Sequence, residues 1–88
     1  MNYLECLLII YMETKEIYTK DLGEGSAFYT SGLKFLRLEN GNNFFWFVFE
    51  DIDAKKISTS YWSGELAVKA KAYYEAMRTL KTLIYSRN

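Results

Sequence analysis

The chain has no histidine, no proline and a single cysteine, Cys6, among its 88 residues. Without histidine it lacks the commonest general base and metal ligand, and it cannot build a Ser-His or Cys-His nucleophile pair. One thiol cannot close an internal disulfide, which fits a reducing cytoplasm better than secretion. A structural zinc site would need ligands that the chain does not have. We therefore expect a non-enzymatic cytoplasmic protein with no metal and no cofactor.

The chain also has no net charge. Eleven basic and eleven acidic residues cancel, so no overall field draws the protein to nucleic acid or to an anionic membrane. Any such binding must come from a local patch. Half of the residues are apolar and 18% are aromatic, which is the composition of a folded chain. The length corresponds to one domain, residues 1–88.

The strongest feature present is the apolar run 44–49, Phe-Phe-Trp-Phe-Val-Phe. Six large aromatic and β-branched residues predict a strand that is apolar on both faces. Helices can cover one face, and the other would then meet the N-terminal segment, a partner subunit or a ligand. An exposed aromatic sheet face is also a platform on which single-stranded bases stack. Burial of both faces in the core is the simpler interpretation.

The first twelve residues contain an uncharged apolar run, Cys6 to Met12, that is too short to span a bilayer. It has neither the basic start nor the small-residue cleavage site of a signal peptide. Two interpretations remain open. The segment forms an additional strand of the sheet, or it is an extension ahead of an alternative start at Met12, with residues 13–88 as the core domain.

Two further strands are predicted, over residues 16–19 and 33–39. Asn40-Gly41 follows the second and precedes the aromatic run, and this dipeptide favours a two-residue type I′ hairpin turn. That turn would pair Phe35 with Trp46 on one face and Leu36 with Phe45 on the other. The sequence thus predicts an antiparallel sheet with a central β-hairpin.

Three helices complete the predicted fold. The first, residues 22–31, would be capped by Thr19 or Asp21, but Gly23 and Gly25 weaken it, and we expect these glycines to serve loop flexibility. The second runs from residues 50–53 to about Ser63. The third runs from between residues 66 and 69 to about 86 and packs through an apolar stripe. This stripe comprises Leu66, Ala70, Tyr73, Met77, Leu80 and Ile84. We predict an α+β domain in which three or four antiparallel strands pack against two C-terminal helices and one short helix in the N-terminal half.

Three acidic residues, Glu50, Asp51 and Asp53, follow the central strand. Carboxylates at a strand end can hold Mg²⁺ for phosphodiester chemistry, provided that several converge. The alternative is that Asp51 or Asp53 caps the second helix and complements its dipole. We favour the cap.

A second stripe on the last helix is basic and aromatic together, at spacings of three and four residues. It comprises Lys71, Tyr74, Arg78, Lys81 and Tyr85. Cations neutralise phosphates and tyrosines stack on bases, so this combination suits nucleic acid, particularly a single strand. An acidic protein partner would fit it equally well, and an ordinary solvated helix flank is the third interpretation. We refer to these five residues as the basic tyrosine stripe.

Several short motifs occur in a familiar order and spacing. They are Thr19-Lys20-Asp21, Phe47-Val48-Phe49-Glu50-Asp51, Tyr61-Trp62-Ser63-Gly64-Glu65, and Tyr73-Tyr74-Glu75-Ala76 followed by Leu80, Lys81 and Tyr85. Together they resemble a family of small prokaryotic proteins, some in mobile elements, catalogued only as a domain of unknown function. The resemblance spans roughly residues 13–85 and departs at Gly23 and Gly25. It implies a small, soluble, cytoplasmic, single-domain protein and brings no known activity or site.

These observations predict a binding module that contacts nucleic acid through the basic tyrosine stripe. The alternative is a protein interaction module, or a homodimer formed through a surplus aromatic face of the sheet. An enzyme that uses the acidic cluster is the third possibility. No membrane association and no small-molecule substrate are expected.

Overall fold

A computed structural model of the protein describes residues 15–87. The prediction for the apolar segment 1–12, including its possible role as a fourth strand, lies outside these residues. The elements follow one another as β1 (Glu16–Thr19), α1 (Leu22–Thr30), β2 (Phe35–Asn40), β3 (Phe45–Glu50), α2 (Ala54–Trp62) and α3 (Ala70–Arg87). The three strands form an antiparallel sheet in the order β1-β3-β2. The predicted α+β fold, with two C-terminal helices and one earlier helix, is confirmed.

The aromatic run forms the central strand, β3, as predicted. Phe47 and Phe49 are buried on the side that faces the helices, where they join Phe28 of α1 and Leu80 of α3 in the core. On the opposite face of the same strand, Val48 is also fully buried. Residues 47–49 are therefore buried on both faces of the sheet, whereas Phe44, Phe45 and Trp46 are only partly buried.

The hairpin between β2 and β3 is confirmed, but its predicted register is wrong. Asn40 pairs with Phe45, so the connection is residues 41–44 rather than a two-residue turn. Phe35 consequently lies opposite Phe49, not Trp46. The pairing also shifts between residues 35 and 37, where one extra residue forms a bulge.

The conformation of the turn explains why the predicted register is wrong. Gly41 donates its backbone N–H to the carbonyl oxygen of Phe44 at 2.8 Å, and Asn43 has a φ of 69°. Asn43, rather than Asn40, thus supplies the left-handed conformation. A Cβ on residue 41 would lie 2.5 Å from the Phe44 ring, so the glycine is needed for the ring to fold over the turn.

The segment 22–30 is a regular helix despite its two glycines. Asp21 caps it by accepting a hydrogen bond from the Glu24 backbone N–H at 2.7 Å. A Cβ on Gly25 would lie 3.3 Å from Phe47 and 3.4 Å from Leu80, in a fully packed core. The prediction that the glycines serve loop flexibility is wrong, because Gly25 lets α1 approach the sheet and α3 closely and Gly23 leaves room for Tyr61 of α2.

The Glu24 side chain also links α2 to α1 through hydrogen bonds. Its carboxylate oxygen Oε2 accepts hydrogen bonds from the Ser58 hydroxyl and from Trp62 Nε1, the latter at 2.7 Å. The Trp62 ring is otherwise exposed, so its visible role is to join two helices. Across residues 15–87, none of the helices combines the length and the apolar character that crossing a membrane requires.

Candidate nucleic-acid interface

Helix α3 packs on the core along one side only. Ala76 and Leu80 are buried, and Leu83 and Ile84 are partly buried against the same cluster. The helix begins at Ala70, so the predicted apolar stripe loses Leu66, which precedes it. Near the other end, the Arg87 guanidinium donates to the backbone carbonyl oxygen of Leu38 on β2 at 3.3 Å.

All five residues of the basic tyrosine stripe lie on the solvent side of α3 and are exposed. Tyr74 and Tyr85 are 61% and 71% exposed, values that are high for aromatic side chains. The guanidinium carbon of Arg78 lies 5.9 Å from the centroid of the Tyr74 ring, a cation–π arrangement. From Lys71 to Tyr85 the stripe covers about 21 Å along the helix. Its members therefore form one continuous surface.

The charge distribution singles out the same helix. Helix α3, residues 70–87, contains four basic residues and one acidic residue, which gives a formal charge of +3. Residues 15–69 contain seven basic and eight acidic residues, a formal charge of −1. The net charge of the chain is zero, but α3 is positive and the rest of the described residues are slightly negative.

No protein-family model, curated protein or solved structure matches this chain. The resemblance to a family of unknown function therefore stays a prediction. Function has to be argued from the surfaces of the molecule alone.

The outer face of the sheet, which points away from the helices, carries a different surface. Arg37 donates to Glu16 and Glu39 on either side of it, with closest N–O distances of 2.7 and 2.6 Å. The Tyr18 hydroxyl donates to Glu39 at 3.1 Å, and the Tyr18 ring meets Trp46 edge to face at a centroid distance of 6.3 Å. Two carboxylates against one guanidinium leave this aromatic face negative, which opposes phosphate binding.

The pKa values on this outer face follow from the same contacts. The hydrogen bond from Arg37 lowers the pKa of the Glu16 carboxyl. Partial removal of Tyr18 from water raises the pKa of its hydroxyl, and the Glu39 carboxylate adds to that effect. Arg37 thus remains charged between its two carboxylates, and the cluster keeps its negative sign at neutral pH.

The acidic cluster after β3 caps a helix, as we favoured. The Asp51 carboxylate accepts the backbone N–H of Ala54 at 3.2 Å, whereas Asp53 makes no capping hydrogen bond and has a φ of 59°. Within the part of the chain that the structure describes, no three potential ligand side chains are grouped to hold a metal ion.

One concave feature escaped the sequence analysis. A cleft lies where the hairpin turn, the end of β1 and the last turns of α3 meet. Its polar lining consists of Lys20, Asn40 and Asn43. Asn40 was interpreted only as a turn residue and Lys20 only as part of a family-like motif, and Asn43 was given no role. Because the lining comes from separate segments of the chain, no local spacing could have indicated it.

Proposed function

We propose that this protein is a non-enzymatic module that binds single-stranded nucleic acid through the basic tyrosine stripe of α3. The observation that carries the proposal is the exposure of three cations and two tyrosines on one helix face, with the net positive charge concentrated on that helix. Cations that alternate with exposed aromatic rings suit a strand whose phosphates and bases are both accessible.

A single strand suits this surface better than a duplex. The side chains of Tyr74 and Tyr85 offer flat faces for unstacked bases, which a duplex does not present. Arg78 already lies beside Tyr74, so a phosphate and its neighbouring base can be contacted together. Within residues 15–87, Lys71, Arg78 and Lys81 form no ion pairs, and their charges are available to phosphates.

Charge reversal at Arg78 tests the proposal. We expect Arg78→Glu to weaken binding of a fluorescently labelled single-stranded oligonucleotide about tenfold at low salt, measured by fluorescence anisotropy. Lys55→Glu is the matched control, because it changes net charge equally at an exposed position on α2. Equal losses in the two variants would assign binding to net charge and not to the stripe.

Tyr74→Ala tests the aromatic part separately. If a base stacks on this ring, the substitution should cost about 1–3 kcal/mol of binding free energy. The salt dependence should stay unchanged because no cation is removed. An unaltered affinity would reduce the stripe to a purely electrostatic surface.

A protein interaction module, including a homodimer, is the second candidate. It is favoured by Tyr18, which is 44% exposed beside Trp46 on the outer face of the sheet. Sedimentation equilibrium tests the homodimer. A concentration-dependent dimer that is lost in Tyr18→Glu would support it, and a monomer at all concentrations would exclude it.

A further inference from the structure

The cleft beside the hairpin turn has a volume of about 550 Å³, within the range of small-ligand sites. Its floor is apolar and comes from three elements. The floor residues are Leu22, Phe45, Phe47 and Ile84. Lys20, Asn40, Gly41, Asn43 and Phe44 complete the lining. An apolar floor with a few polar groups at its edge is the usual composition of a binding site.

The edge of the cleft combines a flat ring with a positive charge. Lys20 Nζ lies 4.9 Å from the centroid of the Phe44 ring. Among residues 15–87, no carboxylate pairs with Lys20. A ligand with a flat apolar body and an anionic group would therefore find complementary groups side by side.

Two asparagines, Asn40 and Asn43, add hydrogen-bonding capacity to the lining of the cleft. Each amide has both donor and acceptor atoms, which is the combination that the edges of nucleobases require. Asn43 is held in the turn with a φ of 69°, so its backbone position is fixed by the hairpin. Asn40 is the last residue of β2.

The cleft adjoins the proposed nucleic-acid surface. Ile84 lines the cleft, while Lys81 and Tyr85 project from the same turns of α3 to solvent. A strand that follows the stripe toward the C-terminal end of α3 would thus reach the mouth of the cleft.

We propose that the cleft receives one unstacked base of that single strand. The ring of the base lies against Phe44, its edge faces Asn40 and Asn43, and the adjoining phosphate is near Lys20. This inference rests on the proposed function, because it concerns a nucleotide of the same bound strand. It adds a site of base recognition to a surface that otherwise binds any sequence.

The test uses two probes, a labelled single-stranded oligonucleotide and adenosine monophosphate. Asn43→Gly removes one amide but keeps a residue that tolerates positive φ, and Lys20→Met removes the charge but keeps an unbranched apolar chain. We expect each substitution to weaken oligonucleotide binding about fivefold or more. Adenosine monophosphate should shift the side-chain amide signals of Asn40 and Asn43 in nuclear magnetic resonance spectra of the wild-type protein.

The outcomes separate this site from the stripe. If the oligonucleotide binds the wild-type protein and both variants equally, and the mononucleotide moves no signal from the cleft, the base site is overturned while the proposed function stands. If the mononucleotide shifts the cleft signals but the oligonucleotide does not bind, the cleft is a site for a free nucleotide, and both its role in strand binding and the role of the stripe are overturned. Absence of both effects overturns both. Matching circular dichroism spectra and unfolding midpoints confirm that the variants are folded.

Discussion

Tyr61 and Tyr73 fill the space over Gly23, where α1, α2 and the start of α3 meet. The Tyr73 hydroxyl donates to the backbone carbonyl oxygen of Gly23 at 3.1 Å. A Cβ on Gly23 would overlap the hydroxyl oxygen of Tyr61. The absence of a side chain at residue 23 therefore lets two tyrosines close the junction of the three helices.

Gly23→Ala should destabilise the protein although alanine favours helix. Overpacking costs about 1–3 kcal/mol, against a gain of about 1 kcal/mol in helix propensity, so we expect a net loss of up to about 2 kcal/mol. Urea unfolding measures it. In Gly23→Ala/Tyr61→Phe, where the clashing hydroxyl is gone, the loss should be smaller than the sum of the single losses. Strict additivity would contradict this account of the contact.

The raised pKa of Tyr61 predicts that the protein loses stability at high pH. Burial, with a contribution from Tyr73, raises the pKa of Tyr61 to about 12 from an ordinary value of 10.0. The unfolded chain therefore releases this proton first, so the stabilisation is complete below about pH 10 and is lost as pH rises toward 12. We expect the unfolding free energy to fall less steeply over that window in Tyr61→Phe.

Tyr85→Phe is the matched control for this pH dependence, because Tyr85 is 71% exposed. Its unfolding free energy should fall as steeply between pH 10 and 12 as that of the wild-type protein. If Tyr61→Phe retains the full wild-type slope, the burial of Tyr61 does not control the alkaline limit of stability.

At the scale of elements, the start of α2 distinguishes two neighbouring aspartates. Asp51 accepts the Ala54 backbone N–H, whereas Asp53 sits at a positive φ without a capping hydrogen bond. Asp51→Ala should therefore lower the unfolding free energy by about 1 kcal/mol. Asp53→Gly should be neutral or stabilising, because glycine adopts that conformation without strain. Thermal unfolding of the two variants checks this, and equal losses would contradict the assignment of the cap.

The elements were predictable where the pattern of the sequence is local. The aromatic run predicted β3, and spacings of three and four residues predicted α3 and its exposed stripe. The hairpin register was not predictable from the sequence. Asn40-Gly41 is typical of a two-residue turn, but the turn that forms depends on Asn43 at positive φ and on the ring of Phe44. That choice depends on the Phe44 ring folding over Gly41, a tertiary contact.

Two other features depended on the packed structure. The glycines of α1 looked like helix breakers, and only their contacts with the sheet, α2 and α3 show that small size is what the helix requires. The cleft brings Lys20 to the hairpin turn through the pairing of β1 with β3. Neither relation has a fixed spacing along the chain, so both need the folded molecule.

At the scale of the whole molecule, the neutral total charge is divided unevenly. Helix α3 carries +3 and residues 15–69 carry −1, while the outer face of the sheet holds a carboxylate-rich cluster around Arg37. An approaching polyanion is thus attracted by α3 and repelled by the opposite side. If the protein binds nucleic acid as we propose, this distribution would orient the polyanion on α3 before any specific contact forms.

Anisotropy of a labelled single-stranded oligonucleotide, titrated with the wild-type protein over a series of salt concentrations, tests the central claim most directly. If Lys71, Arg78 and Lys81 each neutralise one phosphate, the logarithm of the binding constant should fall with the logarithm of salt concentration with a slope of about −2. Absence of binding even at low salt, or binding that does not depend on salt, would contradict the assignment of α3 as a nucleic-acid surface.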